Sequence, residues 1–184
     1  MKTLLKAAAF LLIGLASQTA LAQVKGTFTD PRDGHVYKTV KIGGKLWMAE
    51  NMVYKVEDMA LPASGKEEDA KVYGYFYRYS DAFKLCPEGW ALPGRSDITR
   101  LRNAVCPDIE NCHKKLNRLG FNLTKGGYFD AEKDKYFDFD LAAWLWTSND
   151  AGNEATAQFF REDYLGERDV LKASYMPVRC IKFR

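Results

Sequence analysis

Residues 85–94 read LCPEGWALPG, and no other ten residues restrict the chain as much. Pro87 and Pro93 each lock φ at roughly −65° and remove a backbone donor, so neither a regular helix nor a central strand runs through them. Trp90 and Leu92 supply bulk for a core, and Cys86 offers a crosslink. Directly after the segment, Ser96 and Asp97 suit the start of a helix, which favours a hydroxyl cap and an acid in its first turn. Ile98, Leu101 and Val105 then follow at helical spacing, with Arg100 and Arg102 off the apolar stripe. A rigid corner feeding a helix is expected, with Ser96 as N-cap.

The chain opens with Met1, Lys2 and Lys6, an apolar run from Ala7 to Ala16, and the small-residue end Ala20-Leu21-Ala22. This is the layout of a secretory signal peptide over residues 1–22, cleaved after Ala22. The run is too short to span a bilayer, so no membrane span is expected. Export leaves 162 of 184 residues, the size of one domain with its own core, taken as residues 23–184. The leader holds two of the 27 basic residues and none of the 24 acidic ones, leaving 25 against 24, a net +1. So even a balance, with no clustered basic face, argues against a nucleic-acid partner.

All four cysteines lie in the exported part, where an oxidising compartment favours two disulfides. Three connectivities exist. Cys106 and Cys112 bound the short loop CPDIENC, so a local bridge closes easily, which leaves Cys86 for Cys180. That second link closes a long loop, worth on the order of 4 kcal/mol in the chain-entropy model. A structural zinc site is the weaker reading, because there is no CxxC and the histidines are His35 and His113 alone.

HVYKTVKI, Gly43-Gly44 and KLWMAENM predict a β-hairpin around a two-glycine turn, and FTDPRDGHVY predicts a tight turn before its first strand. Residues 55–71 lose periodicity and read as a surface loop. Tyr73, Tyr75, Tyr77 and Tyr79 alternate as on a strand face, unless a helix within YRYSDAFKL cuts the stripe short. A second helix is expected over Ile109–Leu119, stopped by Gly120. From Phe121 onward, KGGYFD, KYFDFD, AAWLWTSND, TAQFFRED and SYMPVRCIKF read as antiparallel strands and long loops. An N-terminal hairpin, two or three helices and then strands make an α+β domain.

YGYFYRYSDAFKLCPEGWALPGRSDI, KGGYFD, LWTSND and MPVRCIKF, with DPRDGHVYKTVKIGGKLWMAENM ahead of them, resemble in order the signature blocks of the Fibrobacter succinogenes major paralogous domain. The resemblance runs from about Gly26 to the C-terminus. It implies a secreted or bacterial surface-attached protein with a C-type lectin-like related fold. In that wider group a CxxGWxLP-like corner leads into a helix, and a C-terminal strand carries the cysteine that closes back on it. Carried over, that implies Cys86 to Cys180; Cys106 and Cys112 lie outside the pattern. The family's expansion in fibre-degrading bacteria suggests adhesion or carbohydrate contact.

Each candidate chemistry has a plainer rival. Trp146, Asn149 and Asp150 loosely resemble the lectins' Trp-Asn-Asp strand, the one place that invites calcium, but the Glu-Pro-Asn or Gln-Pro-Asp loop completing such a site is missing, so no cofactor is expected. Asp130, Asp134, Asp138 and Asp140 have Lys133 and Lys135 between them and read as a solvated hairpin tip rather than a cation cluster. Formylglycine-generating enzymes share the lectin-like relation, yet use reactive cysteines, and here all four are assigned to disulfides. Neither histidine comes with a GxSxG elbow, so no catalysis is expected. Sugar binding without metal would use aromatic faces, and Tyr128, Tyr136, Trp144, Trp146 and Phe160 lie in the loop-rich half, with Asn149 and Asp150 nearby. Alternation places Trp144 and Trp146 on one side of a strand, with the core the better reading for that side. The expected partner is a polysaccharide or a cell-surface protein; the alternative is an envelope assembly component without a sugar site.

Overall fold

A computed structural model describes residues 25–182. The signal peptide expected over residues 1–22 lies outside them. The chain begins with β1 (Lys25–Thr29), β2 (Val36–Ile42) and β3 (Lys45–Met48). It continues through β4 (Ala60–Pro62), two 3-10 turns and α1 (Ala70–Tyr73) to β5 (Tyr75–Arg78), α2 (Tyr79–Leu85) and β6 (Trp90–Ala91). Two helices follow, α3 (Arg95–Val105) and α4 (Cys112–Arg118). The rest is strand: β7 (Tyr128–Asp130), β8 (Lys135–Phe137), β9 (Ala143–Ala151), β10 (Glu154–Phe160), β11 (Leu165–Leu171), β12 (Tyr175–Pro177) and β13 (Ile181–Lys182).

All pairings are antiparallel, in three sheets ordered β1-β2-β3-β13-β6, β4-β5-β12-β7-β8 and β11-β10-β9. The α+β expectation holds at this level. The helices number four among the described residues rather than two or three, and three of them span seven residues or fewer. Among the described residues no helix is long and apolar enough to cross a membrane.

The two-glycine hairpin forms as expected between Ile42 and Lys45. Gly43 has φ +60°, and a Cβ there would come within 2.8 Å of the Arg100 carbonyl oxygen on α3, so this glycine also lets the hairpin approach the helix. The turn at Asp30–Gly34 leads into the hairpin's first strand, β2, as expected, and joins it to a further strand, β1. Residues 55–71 are more ordered than a surface loop, because Ala60–Pro62 adds an edge strand to β5. The tyrosine run is cut at both ends: Tyr75 and Tyr77 are on β5, while Tyr73 closes α1 and Tyr79 opens α2.

The helix after the corner starts one residue before Ser96, and its cap is Gly94 rather than Ser96. Two side chains do the capping. Asp97 Oδ2 accepts from the Gly94 N–H at 3.0 Å, and Asn149 Oδ1, reaching across from β9, accepts from the Arg95 N–H at 2.8 Å. The second helix starts later than Ile109, because Ile109 and Asn111 both have positive φ. Gly120, at φ +84°, ends it as expected, its N–H donating to the Asn117 carbonyl at 2.9 Å.

Both expected disulfides are present: Cys86 to Cys180 with Cα atoms 5.8 Å apart, and Cys106 to Cys112 with Cα atoms 5.4 Å apart. The first belongs to a seam that joins the two five-stranded sheets. Residues 175–182 run from β12 in one sheet to β13 in the other. Between them the Val178 carbonyl accepts from the Met52 N–H at 2.8 Å and the Cys180 carbonyl from the Met48 N–H at 2.9 Å. Ile181 then sits opposite both Trp47 and Ala91, next to the corner.

β9 is covered on both faces. Trp144 and Trp146 pack with Tyr77, Tyr128 and Met176, while Ala143 and Leu145 pack with Trp47, Ile98, Leu101 and Phe121. Both indole N–H groups are satisfied, Trp146 Nε1 on the Tyr77 carbonyl at 2.8 Å and Trp144 Nε1 on Asp138 Oδ2 at 3.0 Å. A buried tryptophan contributes on the order of 3–5 kcal/mol relative to alanine.

Candidate functional site

The aromatics expected to meet a ligand are mostly inside the protein. Trp144, Trp146, Phe160 and Tyr128 are all buried, at 5% exposure or less. None has a ring face free to stack on a sugar, and for these four the ligand reading is corrected. Tyr136 is half-buried and tied down, its hydroxyl donating to the Pro62 carbonyl at 3.0 Å and its ring packed on Phe129. Asn149 accepts from the first N–H of α3, on Arg95, and Asp150 holds Lys172 Nζ at 2.6 Å and the Gly152 N–H at 2.9 Å. The side-chain oxygens of Asn149 and Asp150 are thus engaged within the scaffold.

The acids at 130–140 are likewise dispersed. Asp130 closes the β7–β8 turn by accepting from the N–H groups of Glu132 and Lys133 at 3.0 and 3.1 Å. Burial by itself would raise its pKa, but these bonds and Lys133 outweigh that and hold the carboxyl below its ordinary value. Asp138 receives Trp144 Nε1 and Arg161 Nη2. Asp134 and Asp140 sit at positive φ in turns. Among the described residues no three acidic, histidine or cysteine side chains gather as metal ligands.

His113 is half-buried on α4 with Nε2 enclosed and without a hydrogen-bond partner, and burial, reinforced by Lys125, lowers its pKa. His35 lies against Tyr37, ring centroids 4.4 Å apart. All four cysteines are in disulfides.

An open groove lies between α3 and β11. It encloses about 380 Å³, within the range of roughly 300–1,000 Å³ usual for small-molecule sites. Arg95, Thr99 and Arg102, spaced along α3, form one wall. Tyr164, Gly166 and Glu167 form the other, at and just before the β11 edge. Ile109 lies at the end bounded by the disulfide loop. Two large apolar side chains here face solvent, Tyr164 at 52% exposure and Ile109 at 37%. Their neighbours are planar or forked polar groups. Arg95 Nη2 pairs with Glu167 Oε1 at 3.2 Å, the Arg102 guanidinium is half-buried beside them, and Gln158 is buried with its amide nitrogen donating to the Phe159 and Gly166 carbonyls.

Local structure holds this arrangement in place. Ile109 has φ +65°, a left-handed conformation that is a genuine outlier for a β-branched residue. It persists inside the loop closed by Cys106–Cys112, where the Ile109 N–H donates to the Cys106 carbonyl at 2.9 Å. Strain of this kind clusters at functional sites. Neither Tyr164 nor Ile109 was among the expected contacts. A signal for Tyr164 was nonetheless present: in REDYLGERD it is an aromatic among charges, two residues before a glycine, in the turn between two strands, where loop residues stay at the surface.

The family model described as the Fibrobacter succinogenes major domain matches residues 40–182. No curated protein and no solved structure matches the chain.

Proposed function

The chain belongs to the Fibrobacter succinogenes major domain family, and on that premise we propose that it is an exported, non-catalytic binding module, C-type lectin-like in fold, that contacts glycans through the α3–β11 groove. The lectin-like assignment is supported by the corner and C-terminal strand closed together by Cys86–Cys180, with a hairpin before them and helices between. Export is supported by the two disulfides, which persist in oxidising compartments. The absence of catalysis is supported by the commitment of every cysteine to a bridge, which leaves no thiolate nucleophile.

The observation that carries the glycan reading is the exposed Tyr164 ring, opposite Ile109 and flanked by Arg95, Arg102 and Glu167. A pyranose presents an apolar C–H face for such a ring and vicinal hydroxyls for forked donors and acceptors. An amphipathic ring of this kind suits an interface that is apolar at one end and wet at the other. Because Asn149 and Asp150 are held in scaffold bonds, binding is expected to be independent of calcium.

The test is retention of the exported protein on plant polysaccharides, with calcium and with a chelator, for the wild type and Tyr164→Ala. Retention in both conditions is expected. Tyr164→Ala should weaken it about tenfold, the scale of an interface hot spot, with the melting temperature unchanged. Failure to retain any polysaccharide, together with a stable co-purifying envelope protein, would replace this reading with the assembly one.

A further inference from the structure

On another face of the molecule, a second cleft of about 340 Å³ opens beside the N-terminal hairpin. Buried Asn51 forms its floor, exposed Lys38 and Lys71 stand at its edges, and His35, Glu50, Asn122 and Thr124 complete the polar lining. Behind the floor lies Arg179, fully buried. Its Nε and Nη2 donate to Asn51 Oδ1 at 3.1 and 2.7 Å, Nη2 also to the Asn122 carbonyl at 3.1 Å, and Nη1 to the Phe121 carbonyl. The Phe121 ring lies 4.6 Å from the guanidinium carbon.

All of those acceptors are neutral. A buried charge is normally paired with an opposite one, since dipoles alone compensate only part of the desolvation cost. Desolvation lowers the Arg179 pKa to about 9, and the one acid that pulls it back is Glu50. Glu50 is already engaged, its Oε1 at 3.0 Å from Lys38 Nζ and its Oε2 accepting from the Lys38 N–H at 3.2 Å. Around the cleft, three cations (Lys38, Lys71 and Arg179) therefore stand against one carboxylate. Donors also remain uncommitted among the described residues: the Lys71 ammonium, the Asn122 side-chain amide, and the Thr124 hydroxyl hydrogen, whose oxygen accepts from Asn51 Nδ2 at 3.3 Å.

We propose that this cleft is a binding site for a single carboxylate, carried by a uronic acid or by a free organic acid, held by Lys71, Asn122 and Thr124 in front of the buried Arg179 charge. The two oxygens of a carboxylate offer acceptors to the three uncommitted donors, the Lys71 ammonium, the Asn122 amide and the Thr124 hydroxyl. The site uses none of the residues of the α3–β11 groove.

Amide and side-chain chemical shifts of the exported protein, followed at constant ionic strength, provide the test. The probes are sodium galacturonate, sodium acetate and neutral galactose. Saturable shifts at Asn51, Asn122 and Thr124 are expected with the acids and not with galactose. Acetate matching galacturonate would assign a free organic acid, and galacturonate alone a sugar acid. Lys71→Gln should weaken the acid about threefold and Glu50→Gln tighten it about threefold, the scale of partly exposed charge pairs. Tyr164→Ala should leave these shifts alone, which separates this site from the glycan groove. A response to the acids that never saturates, or affinities unmoved by both charge substitutions, would overturn the proposal.

Discussion

The C-terminal seam and the α3–β11 groove treat charge in opposite ways. At the seam, Arg179 is fully buried, with every hydrogen bond directed to a fixed neutral acceptor, and Cys180 next to it is bridged to the corner. In the groove, Arg95 and Glu167 pair in solvent, and Tyr164 is half exposed, its ring leaning on Phe159. A charge locked by four bonds leaves little freedom to substitute without losing the fold. A charge pair in water contributes at most about 1 kcal/mol to stability and is free to be spent on a ligand. The seam should accordingly govern whether the protein folds, and the groove what it holds.

The sharpest way to break that division is to remove the long bridge. Cys86 and Cys180 are 94 residues apart, and opening so large a loop should cost about 4–5 kcal/mol in the chain-entropy model. Cys86→Ala with Cys180→Ala should shift the denaturant midpoint far down, while the fraction that remains folded keeps its glycan affinity. A variant of near-normal stability with weakened binding would show that the seam reaches into the groove.

The short bridge tests the other half. Cys106–Cys112 closes a loop with a separation of only 6, so its removal should cost less, about 2 kcal/mol. Its larger effect should be on affinity. Freed from the loop, Ile109 can leave its disfavoured φ, and its side chain no longer borders the groove. Cys106→Ala with Cys112→Ala is thus expected to lower glycan retention several-fold under conditions where both proteins are fully folded. Unchanged retention would exclude Ile109 as a contact.

Much of the scaffold was legible because it is written locally. Two adjacent glycines between β-rich runs specify a hairpin, Ile98 and Leu101 at helical spacing specify the buried face of α3, and the CPDIENC spacing specifies a bridge. The candidate site was legible only in part, because exposure is set by layering. Alternation correctly put Trp144 and Trp146 on one face of β9, but whether that face meets solvent depends on β5, β7 and β12, which the pattern of β9 does not contain. Ser96 misled for a related reason. The groups that cap α3 include Asn149, 54 residues away, and no local rule names so distant a partner. Arg179 carries no local signal of this kind, although a lone cation among Val178, Cys180 and Ile181, in the link between β12 and β13, has few explanations other than burial.

A smaller effect separates a paired buried charge from the unpaired one at Arg179. Asp30, fully buried, accepts from the Arg32 N–H and Nε at 3.0 and 2.9 Å and from Nη2 at 2.6 Å, and Nη2 also reaches the Leu85 carbonyl beside the corner at 2.8 Å. Burial alone would raise the Asp30 pKa, but the Arg32 hydrogen bonds and charge prevail and hold it below the ordinary carboxylate value. A carboxyl whose folded pKa is depressed stabilises the fold above its unfolded pKa of about 4 and loses that contribution as pH falls through the folded pKa. Asp30→Asn should therefore cost about 1.5–2 kcal/mol at pH 7, the low end for hydrogen bonds to a charged group, because Arg32 is partly exposed. The gap between wild type and variant should close as urea denaturation is repeated from pH 5 down to pH 2. Arg179 hydrogen-bonds to no carboxylate and feels Glu50 only at a distance, so any gap between Arg179→Lys and wild type should change far less there; a gap that closed in parallel would mean that the buried guanidinium depends on Glu50.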